Sequence, residues 1–205
     1  DPAVLAEAEN RIRSTFQSLY SSFRKGERGL EQNNLRRREW ENALRIPLSP
    51  REWQILEKKR FHPSVGESAL KLLAPILTRG VVNDKELLDP DATRGVALRN
   101  IQTREERNHL PPFTFLDFRE ARSRIRSQSE LLSSSLGMEL QPIVLKMAEH
   151  FLRPNLTFNK DETEERKIRA KEKVAPVYFQ VKKGEVILRP GERVKEEHLF
   201  KIKVL

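Results

Sequence analysis

The sequence predicts an α+β fold, mainly α-helical, with a small β-sheet. Three observations point there. Apolar residues recur at steps of three and four over most of the chain, the spacing of one helix face. Two stretches break that rhythm, 95–110 and 177–194, and alternate apolar with polar residues. Charged residues make up 34% of the composition and hydrophobic residues 37%, which suits helices with long solvated faces.

The first helix is predicted over 3–25, where Val4, Leu5, Ala8, Ile12, Phe16, Leu19 and Phe23 form one stripe. Gly26 and Gly29 interrupt it, and a second helix runs to about Leu44. LSPREWQIL supplies a third start: Ser49 as cap, Pro50 at the first helical position and Glu52 closing a capping box. SVGESALKLLAPILTRG repeats the pattern, with Ser64 as cap, Glu67 in the box and Gly80 as terminator. GVALRNI and RNHL read as two strands joined by a turn. Asp117 and Glu120 mark the start of the next helix, GMELQPIVLKMAEHFL is another, and Asp161 with Glu164 starts a helix to about Val174. Val177, Phe179 and Val181, then Val186 and Leu188, read as a ribbon turned at Gly184 and Gly191. A lone ribbon is marginally stable, so it is expected to pair with the 95–110 hairpin. The organisation expected is a helical region, 1–94, and a mixed region, 95–205, within one compact domain.

The absence of cysteine excludes disulfides and thiolate metal sites. No GxGxxG, P-loop, nucleophile-elbow or SxxK pattern occurs, so no catalytic residue is assigned and the chain is not expected to be an enzyme. The four histidines lack metal-ligand spacing, and neither metal nor cofactor is expected. No apolar run is long enough to span a bilayer, and Asp1 in place of Met suggests a piece of a longer protein. The net charge of +9 comes from the ends: residues 1–60 carry +4, 61–150 balance, and 151–205 carry +5. A basic surface from those ends suits an anionic membrane surface. Nucleic acid is not expected as a partner, because stacking aromatics and a binding motif are lacking. In the connector RPNLT, Arg153 and Asn155 are candidate ligand contacts, with Arg169 a third. The competing reading makes Pro154 a helix stop and gives Asn155 local turn hydrogen bonds.

The last third of the chain carries a resemblance. Arg153-Pro154-Asn155, Thr163-Glu164, Arg169-Ala170, Val174 with Pro176-Val177, Lys183-Gly184-Glu185 and Gly191-Glu192-Arg193-Val194 follow one pattern in order. It resembles the end of the extracytoplasmic domain of the seven-transmembrane HD-hydrolase family, closely over 95–205 and vaguely over 1–94. The resemblance implies an extracytoplasmic sensor domain with an unidentified ligand. It implies transmembrane helices before Asp1 and after Leu205. It also implies a cytoplasmic HD domain that uses a divalent metal to hydrolyse cyclic di-AMP. A basic nucleic-acid-binding domain and a structural module of the cell envelope are the alternative readings.

Overall fold

The computed structural model describes residues 1–26, 29–83, 85, 95–110, 114–175 and 182–203, with the backbone alone over 131–136. The chain divides into two units, Asp1–Phe158 and Asn159–Leu205. The α+β, mainly helical class is what the structure shows.

The first unit holds α1 (Ala3–Arg24), α2 (Leu30–Leu44), α3 (Pro50–Lys58), α4 (Pro63–Arg79), β1 (Val81–Val82), β2 (Val96–Arg99), β3 (Glu106–His109), β4 (Leu116–Asp117), α5 (Phe118–Leu136) and α6 (Gln141–Phe151). Helix α4 is its centre, packed against α1, α5 and α6. The reason lies in its sequence: Val65, Ala69, Leu70, Leu72, Leu73, Ile76 and Leu77 are buried along one broad face, while Ser64, Lys71, Thr78 and Arg79 are exposed on the other. An apolar face that broad has room for more than one neighbouring helix. Helix α1 offers the single stripe read from its sequence, with Ala8, Ile12, Phe16 and Leu19 buried.

The two helices come close because of Gly66. A Cβ built there would stand 2.8 Å from both Ile12 Cγ2 and Phe16 Cδ2. Both side chains are fully buried and would have to shift. Gly66→Val is therefore expected to cost about 1–3 kcal/mol of overpacking. The better helix propensity of valine returns less than about 1 kcal/mol. A fall in the urea midpoint checks this, and an unchanged midpoint contradicts it.

Several helix starts follow local chemistry. Ser49 Oγ accepts from Glu52 N at 3.2 Å while Glu52 Oε2 accepts from Ser49 N at 2.7 Å, the predicted box. At α5, Asp117 Oδ1 accepts from Glu120 N and Glu120 Oε2 from Asp117 N. Helix α4 departs from expectation. Its cap is His62, whose ring nitrogen accepts from Ser64 N, and Pro63 takes the first position. Glu67 is thereby released and pairs with Arg13 of α1 at 2.8 Å.

Strands β2 and β3 form an antiparallel pair, Val96 opposite His109 and Arg99 opposite Glu106. Asn100 Oδ1 organises the turn by accepting from Gln102 N and Thr103 N. A second, unpredicted pairing is parallel: Val81 with Leu116 and Val82 with Asp117, extended by a bridge from Val82 to Leu156.

The second unit holds α7 (Lys160–Glu172) and α8 (Glu196–Lys203). Helix α7 has no buried residue. Its cap is Asn159, two residues ahead of the expected start at Asp161, accepting from Glu162 N. Ion pairs a turn apart support it, among them Arg166–Glu162 at 2.7 Å and Arg169–Glu165 at 2.9 Å. Such pairs contribute about 0.3–0.5 kcal/mol each.

The expected C-terminal ribbon is corrected in its described part. Residues 182–194 contain no strand, and Val177, Phe179 and Val181 lie outside the described residues. Two turns take the ribbon's place. Glu185 N donates to Lys182 O at 2.9 Å and Glu192 N to Arg189 O at 3.0 Å. In each, the glutamate carboxylate also accepts from the first residue's N–H. Gly184 and Gly191 stand third, with φ of 89° and 88°, the sign a type II turn requires there. Backbone groups closed locally are withdrawn from a ladder. Val186 is 67% exposed and Leu188 37%, so the alternation marks no buried face.

Candidate functional site at the connector latch

The connector after α6 is held by one side chain. Asn155 Oδ1 accepts from Val81 N at 2.8 Å, and its Nδ2 donates to Leu77 O at 2.7 Å. Its backbone joins in: Asn155 N and Leu156 N both donate to Val81 O, at 2.9 and 3.0 Å. Asn155 O accepts from the Asp1 nitrogen at 2.6 Å. One residue thus ties the end of α4, strand β1 and the start of the chain to the connector. The expectation of local turn bonds is overturned, since the partners lie 74 and 78 residues away.

Gly80 makes the approach possible. Its φ is 96°, and an added Cβ would come within 2.4 Å of Leu156 Cδ1 and 3.3 Å of Phe115 Cδ1. Gly80 O accepts from Leu116 N at 3.0 Å, which fastens β4 to the same corner. The sequence marks Gly80 as a helix stop and carries no sign of this second role.

Next to the latch lies a cationic cluster. Arg11 gives Nε and Nη2 to Ala43 O, at 2.8 and 2.6 Å, and Nη1 to Glu7 at 3.1 Å. Its guanidinium lies over the Phe151 ring, 5.2 Å from the centroid. His150 lies edge-on to the same ring at 5.2 Å and is hydrogen-bonded to the backbone of Leu44. Arg11 and His150 therefore serve the last carbonyls of α2, groups a helix end leaves without partners. Arg153 completes the cluster. It is exposed and forms no ion pair among the described residues.

Burial holds the His150 pKa below its ordinary 6.5, and the charges of Arg153 and Arg11 add to the effect. The Leu44 carbonyl works in the opposite direction. A histidine depressed in the folded state takes up protons in the unfolded chain first. Stability is therefore full above pH 6.5 and falls as pH drops from 6.5 through the folded value. Glu52 and Glu149 respond only lower. Burial raises both, but Lys146 at Glu52, and Arg126 with Arg122 at Glu149, bring them below the ordinary 4.5. Urea midpoints at pH 7.5 and 5.5 should differ in the wild type and differ less in His150→Gln. Equal differences in the two proteins would remove His150 from the account.

Of the three candidate ligand residues, the structure places Arg153 and Asn155 together at the latch. Arg169 belongs to the second unit, paired with Glu165. Two shallow grooves lie elsewhere on the first unit. One, of about 310 Å³, runs between α1 and α4 past Arg13, Gln17 and Glu67. The other, of about 300 Å³, passes Glu52, Ile55 and Met138. None of the three candidates lines either groove. Among the described residues no His, Asp and Glu group of metal-binding form occurs, and no helix is long and apolar enough to cross a membrane.

Nothing among the curated proteins and nothing among the solved structures matches the chain. The family model described as 7TM-HD extracellular (7TMR-HDED) matches residues 1–205, including the N-terminal part where the sequence resemblance is vague. With the match running the length of the chain, this protein belongs to the 7TM-HD extracellular domain family.

Proposed function

We propose that this domain is the extracytoplasmic sensor of a multi-pass membrane phosphodiesterase of the HD class, which hydrolyses cyclic di-AMP on the other side of the bilayer. The observation that carries the reading is the family match over the whole chain. The domain takes no cofactor and performs no hydrolysis in this reading. The divalent metal belongs to the HD domain, and transmembrane helices flank Asp1 and Leu205.

The latch supports a division of labour among the expected ligand residues. Asn155 has both ends of its amide engaged by backbone, so it transmits rather than binds. Arg153 is the ligand contact, exposed beside that amide. Arg169 lies in the other unit, paired with Glu165, and has no part in this reading of the latch. A ligand that moves the connector moves the chain leading to the membrane, and a displacement of this kind is how packed elements switch.

The test compares the full-length parent with a version lacking residues 1–205, both in vesicles, with cyclic di-AMP and divalent manganese. The expected result is hydrolysis by both at different rates, and none by the isolated domain. Absence of cyclic di-AMP hydrolysis in the parent rejects the substrate. Equal rates reject the sensor role.

A further inference from the structure

Helix α7 stands without a core. Every residue from Glu164 to Glu172 is exposed, and even Ile168 keeps 55% of its surface in water. Ten of its thirteen residues are charged, five of each sign. Thirteen residues is a length at which an isolated helix, below about 12–15 residues, is marginal in water. Most helices in proteins are held by packing of an apolar face, and α7 buries none.

Charge takes the place of packing. Ion pairs run along the helix with the acid on the N-terminal side, among them Glu162–Arg166 at 2.7 Å, Glu164–Lys167 at 3.3 Å and Glu165–Arg169 at 2.9 Å. That order is the more favourable one, because it agrees with the helix dipole. Asp161 and Glu162 occupy the first turn, Arg169 and Lys171 the last, again the signs the dipole favours. Only the cap is independent of charge: Asn159 Oδ1 accepts from Glu162 N, and Thr163 Oγ1 donates to Asn159 O at 2.7 Å. The charged contributions all fall with salt, since exposed charges interact over about 10 Å at 0.1 M and about 3 Å at 1 M.

We propose that α7 is an ionic-strength switch, a stiff helix in dilute salt that loosens as salt rises. Helices α1, α4 and α6 differ, because each buries an apolar stripe that screening does not weaken. The cap of α7, Asn159, comes four residues after Asn155, so the helix follows the latch directly along the chain. As a helix, its residues form a rod of about 20 Å. As coil they form a tether of about the same mean length but without stiffness. A rod passes on a displacement and a tether absorbs it. The helix response stands on α7 alone, whereas its use in signalling rests on the sensor reading and goes beyond it by naming what the domain responds to.

The experiment follows the Cα chemical shifts of residues 160–172 in the isotope-labelled 205-residue chain, from about 0.01 M to about 1 M sodium chloride. The helix-to-coil ratio of α7 should fall about threefold to tenfold, while α1 and α4 keep theirs. Sucrose at matched osmolality should leave α7 unchanged, which separates ionic strength from water activity. Glu162→Gln combined with Glu165→Gln removes two pairs at nearly equal helix propensity. Its ratio at low salt should approach that of the wild type at high salt and respond less to salt. A wild-type α7 equally helical at both salts overturns the proposal, and so does a double variant with the wild-type response. In the full-length parent in vesicles, cyclic di-AMP hydrolysis should depend on salt more steeply than in the version lacking residues 1–205, and the double variant should lose that excess. An excess that the double variant keeps overturns the use of α7 in signalling. Equal rates with and without residues 1–205 at every salt reject the sensor reading and leave the helix response standing.

Discussion

Asn155→Leu is expected to lower the stability of the domain by about 2–4 kcal/mol, although leucine is close to asparagine in size. The cost comes from what is left behind. Val81 is fully buried, and its N–H loses the Asn155 carbonyl oxygen at 2.8 Å. A buried donor stripped of its partner costs about 1–3 kcal/mol. Leu77 O loses the Asn155 amide but keeps the N–H of Gly80 at 3.1 Å, so its share is smaller. Asn155→Asp separates the two contributions. It retains an acceptor for Val81 N and sets a carboxylate against the Leu77 carbonyl in place of a donor. Its loss should be intermediate below neutral pH, where the carboxyl is partly protonated, and grow as pH rises. Hydrogen exchange gives a local check: the Val81 amide should exchange faster in Asn155→Leu than in Asn155→Asp. If both variants keep the wild-type urea midpoint, the latch does not hold this corner.

What was legible in the sequence is what short-range chemistry decides. The α1 stripe repeats at helical spacing, and Ser49–Glu52 and Asp117–Glu120 are boxes closed within three residues. The β2–β3 hairpin is likewise local, set by Asn100 and the alternation around it. The latch was not legible for the opposite reason. Strands β1 and β4 have two residues each, too few to show a period, and pair across a separation of 35 residues. Asn155 looked like a turn residue because asparagine after proline usually is one. Its real partners lie far back in the chain. At α4, Ser64 and Glu67 had the spacing of a box, but Pro63 moved the start forward and left the cap to His62. In the second unit, alternation around Val186 suggested a strand, while each Gly-Glu pair closed its own turn. Pattern reading fails there because local hydrogen bonds compete with the ladder for the same backbone groups.

Trp40→Ala is expected to cost about 3–5 kcal/mol, the range for emptying a buried aromatic site. Domains of this kind have about 5–15 kcal/mol in all, so the variant should be close to unfolding at room temperature. Trp40 is fully buried, edge-on to Phe16 at 5.5 Å and to Trp53 at 6.5 Å. Its Nε1 donates to Ile46 O at 2.9 Å, fixing the chain just after α2. The site matters because α2 has little else apolar to hold it: Leu44 is the other hydrophobic residue it buries. Trp40→Phe isolates the hydrogen bond. It keeps most of the ring contact, leaves Ile46 O without its donor, and should cost about 1–3 kcal/mol. Trp53 remains in both variants as a fluorescent reporter of urea unfolding. A loss in Trp40→Ala no greater than in Trp40→Phe would mean that packing at this site counts for little. The consequence reaches the connector through the same C-terminal end of α2. Arg11 and His150 rest on its last carbonyls, Ala43 and Leu44, and Arg153 follows His150 by three residues. Loosening α2 removes the seat of that cluster. The pH dependence assigned to His150 should therefore shrink in Trp40→Ala and persist in Trp40→Phe, which links the aromatic core to the chain leading out of the domain.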